Sequence, residues 1–424
     1  MQTLAALLRA LPSGLADGAF PPALWTESPL SKTRDATLAC AVAAAIAAPK
    51  RKADSSFLTH APLELAARVR LLPMVAAEAR DQARRRIATI AGDYARAGAE
   101  VETAPGVFSE IAAGLAFLKR AIAEGDADGA DAALLFLIPQ IPAPALGAAL
   151  AGDIAPMLGA AAHAPILLAD LPRLENEIDG AGALLRAPVR MIANATARLT
   201  WQERAGDDAF AGDPEAELFA RLSAPPRVAS PSVYIAPTML AVEADGYAAR
   251  HLGDVTAAIS VEAAARAMMR IAAFSMLQDD PASAPYGWTH ALTMPLGLFG
   301  CEALIADKRA LIRIAATHAL GLRATLGQAR ISAAAPARPR APGLFHVEPI
   351  AAAGAAYHAE AARLPAIKAA LATRAATHRD AHLAKYTLAA FDAAARDLEA
   401  ARLYLAAAAY LGAWWDAHPG AGFE

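Results

Sequence analysis

The chain has 424 residues and a formal charge of -3, with 39 basic and 42 acidic residues mixed along its length. No basic block offers a surface for nucleic acid, so a nucleic-acid partner is not expected. Cys40 and Cys301 are too few and too far apart for a disulfide framework or a structural zinc site, which indicates a reducing, cytoplasmic location.

The residue types favour helices throughout. Alanine, leucine and other strong helix formers dominate, the hydrophobic fraction is 56%, and valine, isoleucine and threonine are scarce at strand spacing. We therefore predict an all-α fold: a multi-helix globular bundle around a largely buried central cavity. Although the length would allow more, we predict one unit over residues 1–424, with candidate internal boundaries at the loops 224–237 and 335–348.

Helical patterns follow one another with short interruptions. In chain order the predicted helices lie near 33–48, from residue 60, over 81–98, over 105–124, twice within 173–222, over 255–278, from residue 286, over 303–326, over 351–370 and over 373–417. The two longest interruptions are the proline-containing loops that serve as the candidate boundaries.

One apolar block, Ala132–Leu168, comes nearest to a membrane span, because Asp153 is its only charge. Five prolines interrupt this block: Pro139, Pro142, Pro144, Pro156 and Pro165. In lipid the backbone groups freed by these prolines would need partners, so we predict short buried helices and no membrane span.

Ten histidines are the main chemical resource, whereas several common motifs are absent. The chain has no glycine-rich dinucleotide fingerprint, no phosphate loop, no nucleophile elbow and no Glu-x-x-His pair. His60, His163, His290 and His318 each have uncharged, mostly apolar neighbours. Any one of them is most simply a buried histidine bonded to a backbone carbonyl, but several that converge need a cation.

The remaining histidines have polar, charged or loop neighbours or a helix-end position, and we place them outside the site: His251, His346, His358, His378 and His418.

The segment Thr377–Tyr386 is predicted to be one helix with His378, His382 and Lys385 on one face. Lys385 either extends its chain to solvent or lies buried beside His382. A buried Lys385 would have to be neutral, or carry an added carboxylate on its nitrogen, to approach a metal. Asp380 is either a surface residue or a partner for an imidazole N–H.

Four short segments resemble motifs of the questin oxidase family, helical oxygenases that act on fungal-type anthraquinones. They are His60-Ala61-Pro62-Leu63, His163-Ala164-Pro165-Ile166-Leu167, His290-Ala291-Leu292-Thr293 and Asp380-Ala381-His382-Leu383-Ala384-Lys385. In the second segment Leu167 stands where the family has another histidine. The resemblance covers about residues 55–390 in the family's order.

The resemblance implies a mononuclear non-haem Fe(II) held by His60, His163, His290 and His382, with Lys385, carboxylated or not, beside them. His382 and Lys385 would then lie closest to the chemistry, and His318 is a spare candidate ligand. The expected function is an oxidoreductase: an iron-dependent oxygenase acting with O2 on an aromatic or polycyclic, anthraquinone-like substrate.

Two alternatives from other functional classes stay open, so whether the chain is an enzyme is also open. One is a non-catalytic α-helical binding or scaffold protein whose histidines are satisfied individually. The other is a metal-free, NADPH-assisted oxidase that uses the same histidines as general bases. Metal content distinguishes the first hypothesis from both.

Overall fold

Helices make up nearly all of the regular structure in the computed structural model, which describes residues 2–11, 21–51, 56–203, 210–340 and 343–421. Within these ranges the β pairing consists of two isolated bridges, Lys50 with Glu100 and Met157 with Arg198. The all-α prediction is confirmed. Its physical basis is the alanine-rich composition, since alanine loses no side-chain entropy in a helix.

Twenty α-helices are assigned in the described residues. The first ten are α1 Gln2–Arg9, α2 Pro22–Glu27, α3 Asp35–Ile46, α4 Ser56–Leu71, α5 Arg80–Arg96, α6 Ile111–Glu124, α7 Ala127–Leu137, α8 Ala143–Ile154, α9 Ala164–Leu174 and α10 Arg186–Asn194. The other ten are α11 Pro214–Ser223, α12 Ile235–Glu243, α13 Tyr247–Ala258, α14 Val261–Gln278, α15 Thr289–Gly300, α16 Lys308–Leu326, α17 Pro349–Tyr357, α18 Leu364–Thr377, α19 Ala381–Arg396 and α20 Ala401–Ala417.

Buried apolar side chains form one connected core that extends from Ala5 in α1 to Trp415 in α20. Alanine lets helices pack closely in this core: all four residues of 406–409 in α20 are buried alanines. Burial of the apolar face of each helix is the main favourable term for such a fold.

Four helices from distant parts of the chain form a closed ring inside this core. Helix α9 packs against α15, α15 against α19, α19 against α4, and α4 against α9. Three helices of the ring each contain one of the selected histidines, and His163 immediately precedes the fourth helix, α9.

The helix predicted over 373–417 is wrong as a continuous element, because it is broken twice. Helix α18 ends at Thr377, and Asp380 begins α19 as its N-cap, accepting hydrogen bonds from the backbone N–H of His382 at 2.7 Å and of Leu383 at 3.2 Å. An aspartate that satisfies free N–H groups in this way favours a helix start. His378 therefore does not share a helix with His382; it is half-buried, with its ring 5.0 Å from that of Trp415.

The two predicted loops coincide with helix-free stretches, at 224–234 before α12 and at 327–340 and 343–348 before α17. Their role as domain boundaries stays a prediction. The apolar block folds as the short helices α7, α8 and α9, with prolines in the first turns of α8 and α9, where no N–H is needed. Among the described residues, none of the helices combines the length and the apolar character that crossing a membrane requires.

Candidate metal centre

Four histidines, one from each helix of the ring, meet at one buried point. His60 lies in α4, His163 immediately precedes α9, His290 lies in α15 and His382 in α19. The ring centroids are 4.5 Å apart for His60 and His382, 5.0 Å for His60 and His163, and 5.1 Å for both His163–His290 and His290–His382. The structure thus brings together all four histidines that the resemblance selected.

Hydrogen bonds fix which nitrogens of His163 and His290 carry protons. The Nδ1 atom of His163 lies 3.2 Å from the carbonyl oxygen of Ala160, and that of His290 lies 2.5 Å from the carbonyl oxygen of Tyr286. A carbonyl can only accept, so each Nδ1 donates and each neutral ring keeps its lone pair on Nε2.

The two Nε2 atoms of His163 and His290 face each other at 3.1 Å. Two lone pairs at this distance repel unless a cation lies between them or one ring gains a proton. Two nitrogens bound about 2.1 Å from one ion, at an angle of about 90–109°, would be about 3.0–3.4 Å apart. The observed spacing therefore fits two ligands of one ion.

His60 extends this pair to a group of three, whereas His382 lies beside that group without sharing its close spacing of ligand atoms. One ligand nitrogen each from His60, His163 and His290 lies within 4.8 Å of the others. Both ring nitrogens of His382 are buried and have no hydrogen-bond partner among the described residues; the Oδ1 atom of Asp380 lies 3.5 Å from its Nδ1. A buried polar group without a partner is destabilising, and a bound cation would satisfy it.

Burial keeps these imidazoles in the form that binds metals. It is the largest cause that lowers the pKa of His60, His163 and His290 well below 6.5, and it also lowers the pKa of His382. The charge of Lys385 acts in the same direction on all four. Near neutral pH the rings are thus uncharged, as a metal ligand must be.

Lys385 is buried beside this cluster rather than extended to solvent, with 7% of its surface exposed. It follows His382 by one turn of α19. Burial lowers its pKa to about 7, although the charges of Asp380 and Glu64 act against this change. A large fraction of Lys385 is consequently a neutral amine near pH 7.

A pocket of about 440 Å³ lies next to the cluster: none of the four histidines lines it, but Lys385 does. Each helix of the ring contributes to its wall the residue three positions after its histidine: Leu63, Ile166, Thr293 and Lys385. Residues three apart lie on one face of a helix, one turn along. The four helices therefore run in the same direction past the site, with the histidines near their N-terminal ends and the pocket toward their C-terminal ends.

An unusual backbone turn orients His163. Ala160, Ala161 and Ala162 have φ angles of 54°, 48° and 55°, a left-handed conformation that costs an L-residue about 1–2 kcal/mol. Neighbouring hydrogen bonds hold the turn, including one of 2.8 Å from Leu158 N–H to the carbonyl of Ala197. The turn aims the Ala160 carbonyl at His163. Backbone strain of this kind concentrates at functional sites.

A π-helical turn, Ala284–Trp288, orients His290 in a similar way. It places the carbonyl of Tyr286 on the Nδ1 atom of His290, while the Tyr286 ring lies 4.7 Å from the His290 ring and 6.1 Å from the His382 ring. Burial raises the pKa of the Tyr286 hydroxyl to about 12, so it stays protonated. Single π-turns are frequent at functional sites.

A buried ion pair ties the start of α19 to α4. Arg68 contacts Glu64 on its own helix at 2.6 Å and donates to the carbonyls of Ala376 at 2.7 Å and His378 at 2.8 Å. Because those carbonyls lie at the end of α18, Arg68 holds the turn that precedes Asp380. The helices of His60 and His382 are thereby fixed relative to each other.

Some of these residues have no clear sequence signal. Tyr286 precedes His290 by one helical turn, which is a weak indication, and nothing in the sequence marks Arg68 or the left-handed alanines. His318, the spare candidate, is buried in α16 outside the cluster.

Chemically, a buried set of neutral imidazoles can hold one transition-metal ion, since iron, zinc, copper and nickel all accept such ligands. The three-histidine group His60, His163 and His290 is the part of this site in which the ligand atoms are closest together. Comparison of the chain with protein-family models, with curated proteins and with solved structures gives no match.

Proposed function

We propose that the protein is an oxygenase that holds Fe(II) with His60, His163, His290 and His382 and oxidises an aromatic or polycyclic substrate with O2. One observation carries the proposal: the Nε2 lone pairs of His163 and His290 face each other at 3.1 Å in a buried cluster beside a pocket. The choice of iron and of an aromatic substrate is supported by the resemblance to questin oxidase motifs.

Bound iron would supply a centre that accepts dioxygen and an ionised phenol or enol. Lys385 is placed to take the proton of such a hydroxyl, because it lines the pocket next to the cluster and is partly neutral near pH 7. Leu63 and Ile166 form apolar walls there, which hold a ring system and exclude water.

The alternatives make different use of the same residues. A scaffold protein would have to tolerate two opposed lone pairs in its core and, on His382, a buried Nε2 atom without a hydrogen-bond partner among the described residues, which is costly. A metal-free oxidase assisted by NADPH needs a dinucleotide site, and the sequence has no glycine-rich fingerprint for one. Both alternatives predict a protein without iron.

Elemental analysis of untagged protein, purified without added metal, tests the proposal. We expect about one iron per chain, as a single mononuclear site requires. His382→Ala should lose most of this iron, whereas His318→Leu, which changes a buried histidine outside the cluster, should retain it. Circular dichroism verifies that both variants fold.

The proposal fails if the folded protein contains no iron and cannot be loaded with Fe(II). It also fails if His382→Ala retains its iron. With iron present, consumption of O2 together with hydroxylated polycyclic aromatics tests the oxygenase activity, and His60→Ala, His290→Ala and His382→Ala combined should abolish it.

A further inference from the structure

The pocket beside Lys385 ends in a charged rim. Arg70 of α4 lies at its centre, 2.7 Å from Asp170 of α9 and 2.8 Å from Asp392 of α19. Both carboxylates are therefore already paired with one guanidinium. The remaining charged side chains of the pocket wall are Lys385, Arg173 and Arg396, so the wall carries four basic residues and two acidic ones.

The other two arginines of the rim each pair with one carboxylate and keep part of the side chain exposed. Arg173 lies 3.5 Å from Asp392 with 58% of its side chain exposed. Arg396 contacts Glu302 at 3.2 Å and the carbonyl of Phe299 at 3.3 Å. A guanidinium has five N–H donors in a planar fork that matches a carboxylate. Both arginines can thus bind an anion at the mouth of the pocket.

The rim lies at a defined distance from the histidines. Arg70 follows His60 by ten residues, and Arg173 follows His163 by ten residues, which at about 1.5 Å per residue is about 15 Å. Between these two ends the wall is largely apolar, with Ala67, Leu296 and Leu388 facing the pocket. The pocket therefore extends, as a channel with largely apolar walls, from Lys385 beside the histidines to the charged rim.

We propose that the substrate is an elongated aromatic acid whose ring system lies in the channel and whose carboxylate binds Arg173 and Arg396. Its far end, with a hydroxyl, then lies next to Lys385 and the histidines. The identity of the oxidised end rests on the proposed function, but recognition of the acid does not need the metal. The three rim arginines also lie in the last turns of their helices, where a cation stabilises the helix end in any case.

A binding experiment distinguishes recognition of a carboxylate by the rim arginines from their stabilisation of helix ends. The probes are 6-hydroxy-2-naphthoate, which is fluorescent, and its neutral counterpart 6-hydroxy-2-naphthamide, each titrated against chelator-treated full-length protein at low salt. If the rim binds the carboxylate, the acid should bind about tenfold more tightly than the amide. Arg173→Gln combined with Arg396→Gln should weaken binding of the acid about tenfold and leave binding of the amide unchanged.

Arg330→Gln, an exposed arginine that does not line the pocket, is the matched control and should change neither affinity. Equal binding of acid and amide by the wild-type protein, or no binding of either probe, overturns the inference and leaves the arginines as helix-end residues. So does a double variant that binds the acid as tightly as the wild type. These outcomes do not depend on iron, because the probes are titrated against chelator-treated protein. If the acid binds tightly but the protein as purified contains no iron and cannot be loaded with Fe(II), the proposed function alone fails.

Discussion

At the scale of single residues, burial of a neutral histidine makes the folded state sensitive to acid. His318 shows this outside the cluster: burial alone lowers its pKa from 6.5 to about 4. Above pH 6.5 both states are neutral and the full stability is present. As the pH falls below 6.5 the unfolded chain binds a proton first, so the free energy of unfolding decreases until about pH 4 and then levels off.

His318→Leu should therefore flatten the pH dependence of stability between pH 6.5 and pH 4. The loss of stability that disappears is about 3 kcal/mol, since each unit of pKa difference corresponds to about 1.4 kcal/mol. The substitution also removes a buried Nδ1 atom that has no hydrogen-bond partner among the described residues. Urea denaturation at several pH values, compared with the wild type, measures the effect. Parallel curves for the two proteins would contradict it.

The left-handed alanines before His163 lead to a second prediction, in which a glycine stabilises the protein. Ala161 has a φ of 48° and is not fully buried, so Ala161→Gly relieves about 1–2 kcal/mol of strain. Glycine also increases the conformational entropy of the unfolded chain, which reduces the stabilisation by up to about 1 kcal/mol. Urea denaturation should show an increase in stability of up to about 1 kcal/mol.

Ala116→Gly is the matched control, because Ala116 is an exposed alanine in the middle of the regular helix α6. There the same substitution should reduce stability by about 1 kcal/mol. Equal losses at the two positions would show that the turn before His163 is not strained.

Residue types alone identified four buried histidines, but neither the burial of His382, which has charged neighbours, nor which histidines meet. His60, His163, His290 and His318 all have apolar neighbours, and all four are indeed buried. Apolar neighbours indicate that a side chain faces the core, whereas membership of the cluster depends on the direction of each helix in space. His318 is buried like the others, but its helix does not direct it to the cluster. The resemblance to the family motifs, and not the local pattern, excluded His318 from the predicted ligands.

At the scale of helices, Asp380 combines two roles that can be separated. Its Oδ1 atom accepts the N–H groups of His382 and Leu383, and it also lies 3.5 Å from the Nδ1 atom of His382. Asp380→Asn keeps the cap, since asparagine is an equally good N-cap, but removes the charge. Asp380→Ala removes both.

We expect Asp380→Ala to lose about 1–2 kcal/mol of stability and Asp380→Asn to lose little. If the carboxylate also orients His382 toward a metal, both variants should bind iron more weakly, by about tenfold or more. Denaturation and iron titration measured on the same two variants separate the roles. Full iron affinity in Asp380→Asn would restrict Asp380 to the helix cap.

The same aspartate explains why the helix boundary was mispredicted. The pattern over 373–417 is helical almost throughout, and no glycine or proline next to Asp380 marks a break. The N-cap became decisive because Arg68 binds the carbonyls at the end of α18, a contact between residues more than 300 positions apart. Local pattern contains no information about such a partner.

At the scale of the whole molecule, the site depends on how closely the helices of the ring approach one another. Gly297 is a point where the backbones of α15 and α9 approach closely: a Cβ atom there would lie 2.9 Å from the Cα atom of Ile166 and 3.1 Å from its backbone nitrogen. Since both contacts are with backbone, neither can be relieved by a side-chain rotation. Composition predicted the all-α class, but this approach and the common direction of the four helices follow from tertiary packing.

Gly297→Ala should therefore push α15 away from α9 and separate His290 from His163. Overpacking costs about 1–3 kcal/mol, which is larger than the helix-propensity gain of about 1 kcal/mol from replacing glycine. Iron affinity should fall together with stability, because the 3.1 Å spacing of the two Nε2 atoms depends on the same helix contact.

Gly152→Ala in α8 is the control: its added Cβ meets nothing within 4 Å, so it should raise stability by about 0.5–1 kcal/mol and leave iron binding unchanged. If Gly297→Ala loses stability but keeps its iron affinity, metal binding does not depend on the α9–α15 contact. His163 and His290 would then not both be ligands of the metal.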